Sequence, residues 1–179
     1  DISKPDISTK EKFLKAVRSS GLTGLGGAGF PAHVKLDTKD RIPEALIINA
    51  VECEPYITCD YRAIIEEGRE IVKGIKLILD KLSISKSYIA VEDNKPAAFA
   101  LLKELTKDEP RIETVMLSTK YPQGAEKMLI YALTGRELPM NGLPIDVGVV
   151  VMNVTSVLAL FKYCQTGMPL VSRRVTVGG

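Results

Sequence analysis

Four glycines fall within six consecutive positions near the amino terminus, in the order Gly24-Leu25-Gly26-Gly27-Ala28-Gly29. Glycine permits positive φ and carries no side chain, so the backbone N–H groups of such a loop can approach an anion or a planar ring closely. Lys35 follows a few residues later and adds a positive charge suited to a phosphate. The segment therefore predicts a loop that binds a planar or phosphorylated ligand. A flexible linker between two elements is the alternative.

The loop formally matches the pattern G-x-G-x-x-G, but its surroundings differ from the dinucleotide-binding fingerprint. That fingerprint requires a strand directly before the glycines and a helix that opens from them. Here residues 9–19 form an amphipathic pattern typical of a helix, with Gly21 expected to end it, and Phe30-Pro31 is expected to interrupt whatever follows the loop. We therefore do not expect the usual dinucleotide turn.

A second group of polar residues follows the apolar run 45–49, which is typical of a strand buried on both faces. Asn49, Glu52 and Glu54 stand at its carboxyl end, where open parallel sheets bind ligands. Their oxygens can accept hydrogen bonds from ribose or ribityl hydroxyls, or from a nicotinamide amide. The alternative is a solvated loop leading to the next helix, for which Asp60 is the expected N-cap.

Strands and helices are predicted to alternate along the rest of the chain. The predicted strands are 45–49, 88–91, 114–117 and 147–151, and the predicted helices between and after them are 61–82, 96–105, 124–133 and 154–164. Alternation at this interval predicts βαβ units with a parallel sheet. We expect a Rossmann-like three-layer α/β/α fold with a mostly parallel sheet of about four strands and the glycine-rich loop near the amino terminus.

Length and composition exclude several classes of protein. The chain has 179 residues, 45% hydrophobic and 26% charged, which suits one soluble globular domain. Its formal net charge of +2 is too small to indicate a nucleic-acid partner, and no apolar run approaches the roughly 20 residues needed to span a bilayer. We predict one domain over residues 1–168 and the truncated start of a β domain over 169–179. The first residue is not methionine, so we expect an excised piece of a longer chain.

The three cysteines and the single histidine offer little for metal or nucleophilic chemistry. No C-x-x-C occurs, and one imidazole cannot build a multi-histidine site. Cys53 lies between two acids that disfavour its thiolate, and Cys164 is expected in the core. A dyad of Cys59 with His33 stays open, although His33 is expected to be a surface group. We predict no metal site and no catalytic residue, so redox chemistry must come from an organic cofactor or from segments outside this sequence.

The motifs, taken in order, resemble two related families of redox proteins. Residues 24–31 with Val34-Lys35-Leu36 resemble the flavin loop of the NADH-binding subunit of respiratory complex I, and residues 49–55 resemble its Asn-Ala-Asp-Glu-x-Glu-Pro. The C subunit of the Rnf complex, a membrane-associated NADH:ferredoxin oxidoreductase, is more similar still. Its patterns occur here at residues 92–96, 120–127 and 134–139.

The resemblance implies an electron-transfer domain that binds FMN, accepts hydride from NADH, and passes electrons to 4Fe-4S clusters outside this chain and so, indirectly, toward ferredoxin. The chain would then be an NADH-dependent oxidoreductase subunit that does not complete electron transfer alone. Its implied partners are the other subunits of a membrane-associated complex, on the cytoplasmic face of the cell membrane. The alternative is a related interaction or electron-relay module of an amino-acid reductase system that does not oxidise NADH.

The resemblance also implies roles for individual residues. The loop glycines and Lys35 would meet the FMN phosphate or ring, the acidic strand end the flavin and the nicotinamide ribose, and Asn153 the flavin tail. The implied cofactor-binding set is Gly24, Gly26, Gly27, Gly29, Phe30, Lys35, Asn49, Glu52, Glu54, Tyr121, Gly124, Glu126 and Asn153. Ala125 stands where the complex I proteins carry a further glutamate, which removes one carboxylate from the implied nicotinamide side.

Overall fold

Four parallel strands form the sheet at the centre of the computed structural model, which describes residues 2–178. The strands are β1 (Ala45–Ala50), β2 (Lys86–Glu92), β3 (Ile112–Leu117) and β4 (Val149–Asn153). Their order across the sheet is β3-β2-β1-β4, and all three pairings are parallel. Because β4 pairs with the other edge of β1, the chain reverses its direction of winding there.

Six α-helices connect and flank these strands. They are α1 (Lys10–Ser19), α2 (Ala32–Leu36), α3 (Cys59–Leu82), α4 (Pro96–Thr106), α5 (Glu126–Thr134) and α6 (Val154–Thr166), with a 3-10 helix at Pro144–Val147. Local signals set several of the ends. Pro96 starts α4, and Gly135 ends α5 with a φ of 69°, which glycine adopts without strain.

The two faces of the sheet carry unequal layers. On one face α3 packs against α4 and α6, and α1 adds Phe13 and Val17 to the same core. The other face is covered by α5 through Leu129 and Ile130. The predicted three-layer α/β/α fold with a parallel sheet of four strands is confirmed.

Burial explains why the central strand and the longest helix were recognisable. Leu46, Ile47 and Ile48 are each fully buried, since helices cover both faces of β1 and leave no solvent-facing position to be polar. In α3 the isoleucines at helical spacing are buried except Ile65, which is only partly covered; the buried ones are Ile64, Ile71, Ile75 and Ile78.

The chain after Pro31 differs from its expected course. A short helix, α2, opens at Ala32 with Pro31 as its N-cap. Proline's fixed φ, here −59°, suits that position, so Phe30-Pro31 ends the loop without preventing a helix. No strand precedes the glycines in residues 2–23 of the structure, as expected; α1 lies there instead.

Residues 167–178 run along the surface without strand pairing within the described part of the chain. Arg174 donates to the carboxylates of Glu66 and Glu67, and the N–H of Thr58 donates to Thr176 Oγ1 at 3.0 Å. The division of the chain near residue 168 stays a prediction. None of the helices in residues 2–178 combines the length and hydropathy required to cross a membrane.

We expect Gly74→Ala to destabilise the fold although alanine favours helix by about 1 kcal/mol. A Cβ at Gly74 would lie 2.9 Å from Val157 Cγ1 and 3.1 Å from Val157 O, where α3 and α6 are in contact. The backbone of α6 cannot shift as easily as the end of a flexible side chain. We therefore expect Gly74→Ala to lower the free energy of unfolding by about 1 to 3 kcal/mol.

Gly68→Ala is the matched control in the same helix. Its Cβ would meet only flexible side-chain ends, the nearest being Leu105 Cδ1 at 3.0 Å, so we expect no loss of stability. Urea unfolding of the two variants measures the difference. Equal free energies of unfolding would contradict the close approach of α3 and α6.

Candidate functional site

The carboxyl ends of β1 and β4 lie side by side, and this places two predicted site residues together. Asn49 and Asn153 are partners in the register of these strands. The sheet reverses its winding between the two strands, which is the place where open α/β sheets form a ligand crevice. The topology therefore puts the candidate site at this edge.

The glycine loop is tied at its base and rests on the start of α6. Gly24 N–H donates to Phe30 O at 2.8 Å, which closes the loop, and Leu25 N–H donates to the buried Ser156 Oγ at 2.9 Å. Gly26 lies against Asn153, since a Cβ there would be 3.2 Å from Asn153 Cβ. The loop thus contacts the strand end directly, through main chain.

The tip of this loop keeps its backbone donors available. Residues 25–28 form a turn, and the N–H groups of residues 26–30 donate to no acceptor outside the loop within residues 2–178. Gly27 and Gly29 have φ values of 112° and 63°, and successive N–H groups in such backbone form a concavity that binds anions. The loop is therefore suited to hold a phosphate or the edge of a ring.

Lys35 and Glu126, both predicted to contact cofactor, are brought together. Lys35 on α2 donates to Glu126 Oε1 at 2.8 Å and to Val151 O at 3.3 Å. The pair is partly exposed, so it contributes little to stability. Each charge offsets the other near the strand ends, and a ligand that contacts one meets both.

Asn49 and Gly124 are also in contact, and this contact shapes the floor of the site. Asn49 Nδ2 donates to Gly124 O at 2.9 Å, and Asn49 Oδ1 accepts from Val51 N–H at 3.1 Å. A Cβ on Gly124 would lie 2.8 Å from Val51 O, so only glycine fits. Asn49 holds the turn before α5 against the end of β1.

Glu52, not Asp60, caps the long helix α3. The buried Glu52 carboxylate accepts from Asp60 N–H at 2.8 Å and from Tyr61 N–H at 3.2 Å, and Cys59 Sγ donates to it at 3.3 Å. The expectation that Asp60 is the N-cap is wrong, because the helix begins at Cys59 and Asp60 lies inside its first turn. The helix-start N–H groups are reached from the preceding strand end.

Asp60 instead joins α3 to the start of α6. Its carboxylate accepts from Asn153 Nδ2 at 2.7 Å and from Thr155 Oγ1 at 3.1 Å. Desolvation raises the pKa of Asp60 to about 6, and the nearby Glu52 carboxylate acts in the same direction. Sequence reasoning missed this role, since nothing near Asp60 in the chain points to Asn153.

Asn153 has a structural task at the candidate site. Its Oδ1 accepts from Thr155 N–H at 2.9 Å and from Ser156 N–H at 3.2 Å, so Asn153 is the N-cap of α6. An asparagine between a strand and a helix is the usual signal for such a cap, and it was available in the sequence. One side chain therefore orders the helix start, contacts Gly26 and donates to Asp60.

Three predicted residues are exposed, on the glycine loop and on the turns that follow β1 and β3. Phe30 is 41% exposed and Tyr121 69% exposed, and Glu54 is exposed without an ion pair in residues 2–178. These side chains are free to contact a bound molecule. Their implied roles toward the nicotinamide nucleotide stay predictions.

Two acids at the end of β2 hold the turn that carries Tyr121. Asp93 accepts from Thr119 N–H at 3.0 Å and from Thr119 Oγ1 at 2.6 Å. Glu92 is fully buried, and one of its oxygens has no hydrogen-bond partner in the described chain. Burial raises its pKa above the ordinary value. Both acids act here as supports of the turn.

Cys59 and Cys164 both lie in surroundings that disfavour a reactive thiolate, and Cys164 lies in the core as predicted. Burial and the adjacent Glu52 carboxylate raise the pKa of Cys59 to about 11, so its thiol is protonated at neutral pH. Cys164 is fully buried in the main core.

The family model described as the Nuo51 FMN-binding domain matches residues 17–162, from α1 into α6. The matched part contains the glycine loop, all four strands and both helix starts described above. The chain belongs to the Nuo51 FMN-binding domain family.

Members of this family that are named as C subunits of oxidoreductase complexes are similar over nearly the whole chain. The chain is 45% identical over 175 residues to the C subunit of the proton-translocating ferredoxin:NAD(+) oxidoreductase complex of Clostridium ljungdahlii. It is 44% identical over 170 residues to the C subunit of the Na(+)-translocating complex of Acetobacterium woodii, and 43% identical over 178 residues to that of the ion-translocating oxidoreductase complex of Vibrio cholerae. The predicted relationship to the Rnf C subunit is confirmed.

The chain spans only part of these relatives. The matches cover 97%, 94% and 98% of this chain, but 38%, 38% and 23% of the respective relatives. The similarity therefore concerns one FMN-binding family domain within longer proteins.

Solved structures of an NAD+-reducing NiFe-hydrogenase share the fold of this family member. The H2-reduced form gives a TM-score of 0.71 at 24% identity, over 87% of this chain and 31% of that one. The air-oxidized form gives 0.72 at 25% identity, over 87% and 30%. These likenesses support the fold described above.

Glu52→Ala is expected to destabilise the ligand-free protein by about 1 to 2 kcal/mol, because two N–H groups at the start of α3 lose their acceptor. Glu54→Ala is the matched control two residues away, and we expect it to change the free energy of unfolding by less than about 0.5 kcal/mol. Chemical denaturation without added cofactor measures both. A stable Glu52→Ala protein would show that this carboxylate does not cap the helix.

Asp60→Asn is expected to stabilise the protein increasingly as pH rises from about 4 to about 7. The pKa of Asp60 in the folded chain, about 6, lies above its ordinary 3.8. The folded state therefore holds a proton that the unfolded state loses in this range, and stability falls as that proton is lost. Asparagine does not titrate, so the variant avoids a cost of about 3 kcal/mol at neutral pH.

Thermal unfolding across this pH range measures the effect. The wild type and the Asn variant should differ least near pH 4 and most near pH 7. A difference that is constant with pH would show that Asp60 titrates near its ordinary value.

Proposed function

We propose that this chain binds FMN at the carboxyl edge of its sheet and takes part in NADH oxidation within a ferredoxin:NAD+ oxidoreductase complex. The single observation that carries the proposal is the glycine loop. The N–H groups of residues 26–30 at its tip donate to no other element of the described chain, and the loop rests on Asn153 at the point where β1 and β4 end. Family membership supports FMN as the ligand.

The residues present fit a phosphorylated flavin. The loop N–H groups are donors for a phosphate or for ring oxygens, and the absence of side chains lets a planar ring approach the main chain. The Lys35–Glu126 pair adds one charge of each sign beside the same strand ends. Bound FMN would supply the exchange between hydride transfer and single-electron transfer, and the protein supplies binding, orientation and local charge.

We further propose that NADH enters at the mouth formed by Phe30, Glu54 and Tyr121. These side chains are exposed around the loop and the end of β1, and aromatic rings with one carboxylate suit the base and the ribose of a nucleotide. No side chain is assigned a proton-transfer step. The role assigned to these residues is to hold the nicotinamide against the flavin.

The electron acceptors of the proposed reaction lie outside this chain. Residues 2–178 contain three cysteines, and Cys164 is buried in the core, so we assign the 4Fe-4S clusters to other parts of the complex. The named relatives are subunits of ferredoxin:NAD(+) or ion-translocating oxidoreductase complexes. By analogy we propose that the partners here are the other subunits of such a complex, with ferredoxin reached indirectly, on the cytoplasmic face of the membrane.

The test is direct titration of the purified chain with FMN at micromolar concentration, followed by NADH without oxygen. We expect quenching of flavin fluorescence on binding and loss of flavin absorbance after NADH is added. Absence of binding would refute the proposed cofactor. Binding without bleaching would refute NADH oxidation by this domain and favour the module that does not oxidise NADH.

Gly26→Ala and Gly24→Ala form a matched pair in the loop. The Gly26 Cβ would press on Asn153 at 3.2 Å, whereas the Gly24 Cβ would meet Phe30 O at an ordinary 3.5 Å. We expect Gly26→Ala to weaken FMN binding by about tenfold or more, and Gly24→Ala by less than about threefold. If both variants bind FMN as tightly as the wild type does, the loop is not part of the binding site.

A further inference from the structure

We propose that Asp60 is a positioning residue for the cofactor site, and that binding of a phosphate-bearing flavin is linked to uptake of one proton by the Asp60 carboxyl group. This inference rests on the proposed function, because it takes FMN as the ligand. Asp60 itself contacts neither the glycine loop nor a predicted ligand. It acts through Asn153.

The positioning role follows from the contacts of the Asn153 amide. Its oxygen is fixed by the N–H groups of Thr155 and Ser156, and its nitrogen donates to Asp60 Oδ2 at 2.7 Å. Thr155 Oγ1 donates to the other Asp60 oxygen at 3.1 Å. The carboxyl group thus holds two side chains at the start of α6 in one orientation.

The glycine loop depends on that orientation. Gly26 lies so close that a Cβ there would be 3.4 Å from Asn153 Nδ2, and Leu25 N–H is held by Ser156 in the first turn of the same helix. If Asn153 loses this acceptor, no other group of the described chain accepts from its nitrogen, and the amide can tilt about its capping oxygen toward the loop. The donors of residues 26–30 then no longer share one anion-binding arrangement.

The proton linkage follows from the charges that face Asp60. Glu52 and Cys59 lie on the strand end and at the helix start, with Glu52 adding negative charge, and Arg173 on the carboxyl-terminal segment adds positive charge. The residues of α6 and its cap that reach Asp60 are the neutral Asn153 and Thr155. Burial is the largest influence and raises the pKa of Asp60 to about 6.

Gly26 lies against Asn153, and Asn153 donates to Asp60, so an anion held by the glycine loop would add negative charge near this carboxyl group. A like charge raises the pKa of an acid further, so Asp60 takes up a proton from solvent when a phosphate binds above about pH 6. The protonated group keeps both contacts, since one oxygen still accepts from Asn153 and the hydroxyl can donate to Thr155 Oγ1. Protonation therefore lowers the repulsion without disturbing the position of Asn153.

The first test counts protons by isothermal titration calorimetry of the full chain with FMN, between about pH 6 and pH 8, in buffers of different ionisation enthalpy. The phosphate of FMN has its own pKa near 6, so the comparison is between wild type and Asp60→Asn. We expect wild type to take up more protons per FMN than the variant, by up to one. Riboflavin, which lacks the phosphate, should give no such difference.

The second test measures affinity by fluorescence quenching. We expect Asp60→Ala to weaken FMN binding about tenfold, because Asn153 loses its acceptor, and Asp60→Asn to stay within about threefold of wild type. Asp108→Asn, at an exposed turn after α4, is the control and should match wild type. Circular dichroism checks that each variant is folded.

The outcomes separate this inference from the proposed function. Equal proton counts for wild type and Asp60→Asn would overturn the linkage even if Asp60→Ala fails to fold. Unchanged affinity in a folded Asp60→Ala protein would overturn the positioning role. If wild type itself does not bind FMN, the proposed function fails first and this inference fails with it.

Discussion

Two helices begin at the same edge of the sheet, and the free N–H groups of their first turns constrain everything else there. Such groups have no partner within their own helix and must be satisfied from outside. Glu52 serves the start of α3, and Asn153 serves the start of α6. Asp60 then joins the two starts. The polar side chains of the strand ends are therefore held in fixed orientations before any ligand is present.

Because the polar side chains at the strand ends are already hydrogen-bonded, the main chain of the glycine loop is the principal free donor at the site. The loop approaches Asn153 at Gly26, and the opposite turn approaches Val51 at Gly124. A Cβ would strike the backbone at Gly124 and would crowd the Asn153 side chain at Gly26. The surface available to a planar ligand is thus built from backbone, and its shape depends on the side chains beneath it.

Some residues that carry the family resemblance stabilise the fold as well as lying at the proposed binding site. Asn49 and Asn153 belong to the motifs, yet in this structure they hold a turn and cap a helix. A motif match at these positions therefore reflects folding as well as binding. The open N–H groups of residues 26–30 have no such structural partner in the described chain, which is why they carry the functional argument. The charge of Lys35 is already offset by its ion pair with Glu126.

The sequence by itself determined the order of strands and helices along the chain, because the signals for them are local. The doubly buried strand β1 is a run of apolar residues, and Pro96 and Gly135 mark helix ends. It did not reveal α2, since five residues are too few for helical periodicity to register. It also assigned the cap of α3 to Asp60, whereas Glu52 accepts from the N–H groups there. Both are acids near the start of α3, and local pattern cannot tell which carboxylate reaches the N–H groups. Only the pairing of β1 with β4, which brings residues about a hundred positions apart into register, decided that Asp60 faces Asn153 and that the glycine loop rests on it.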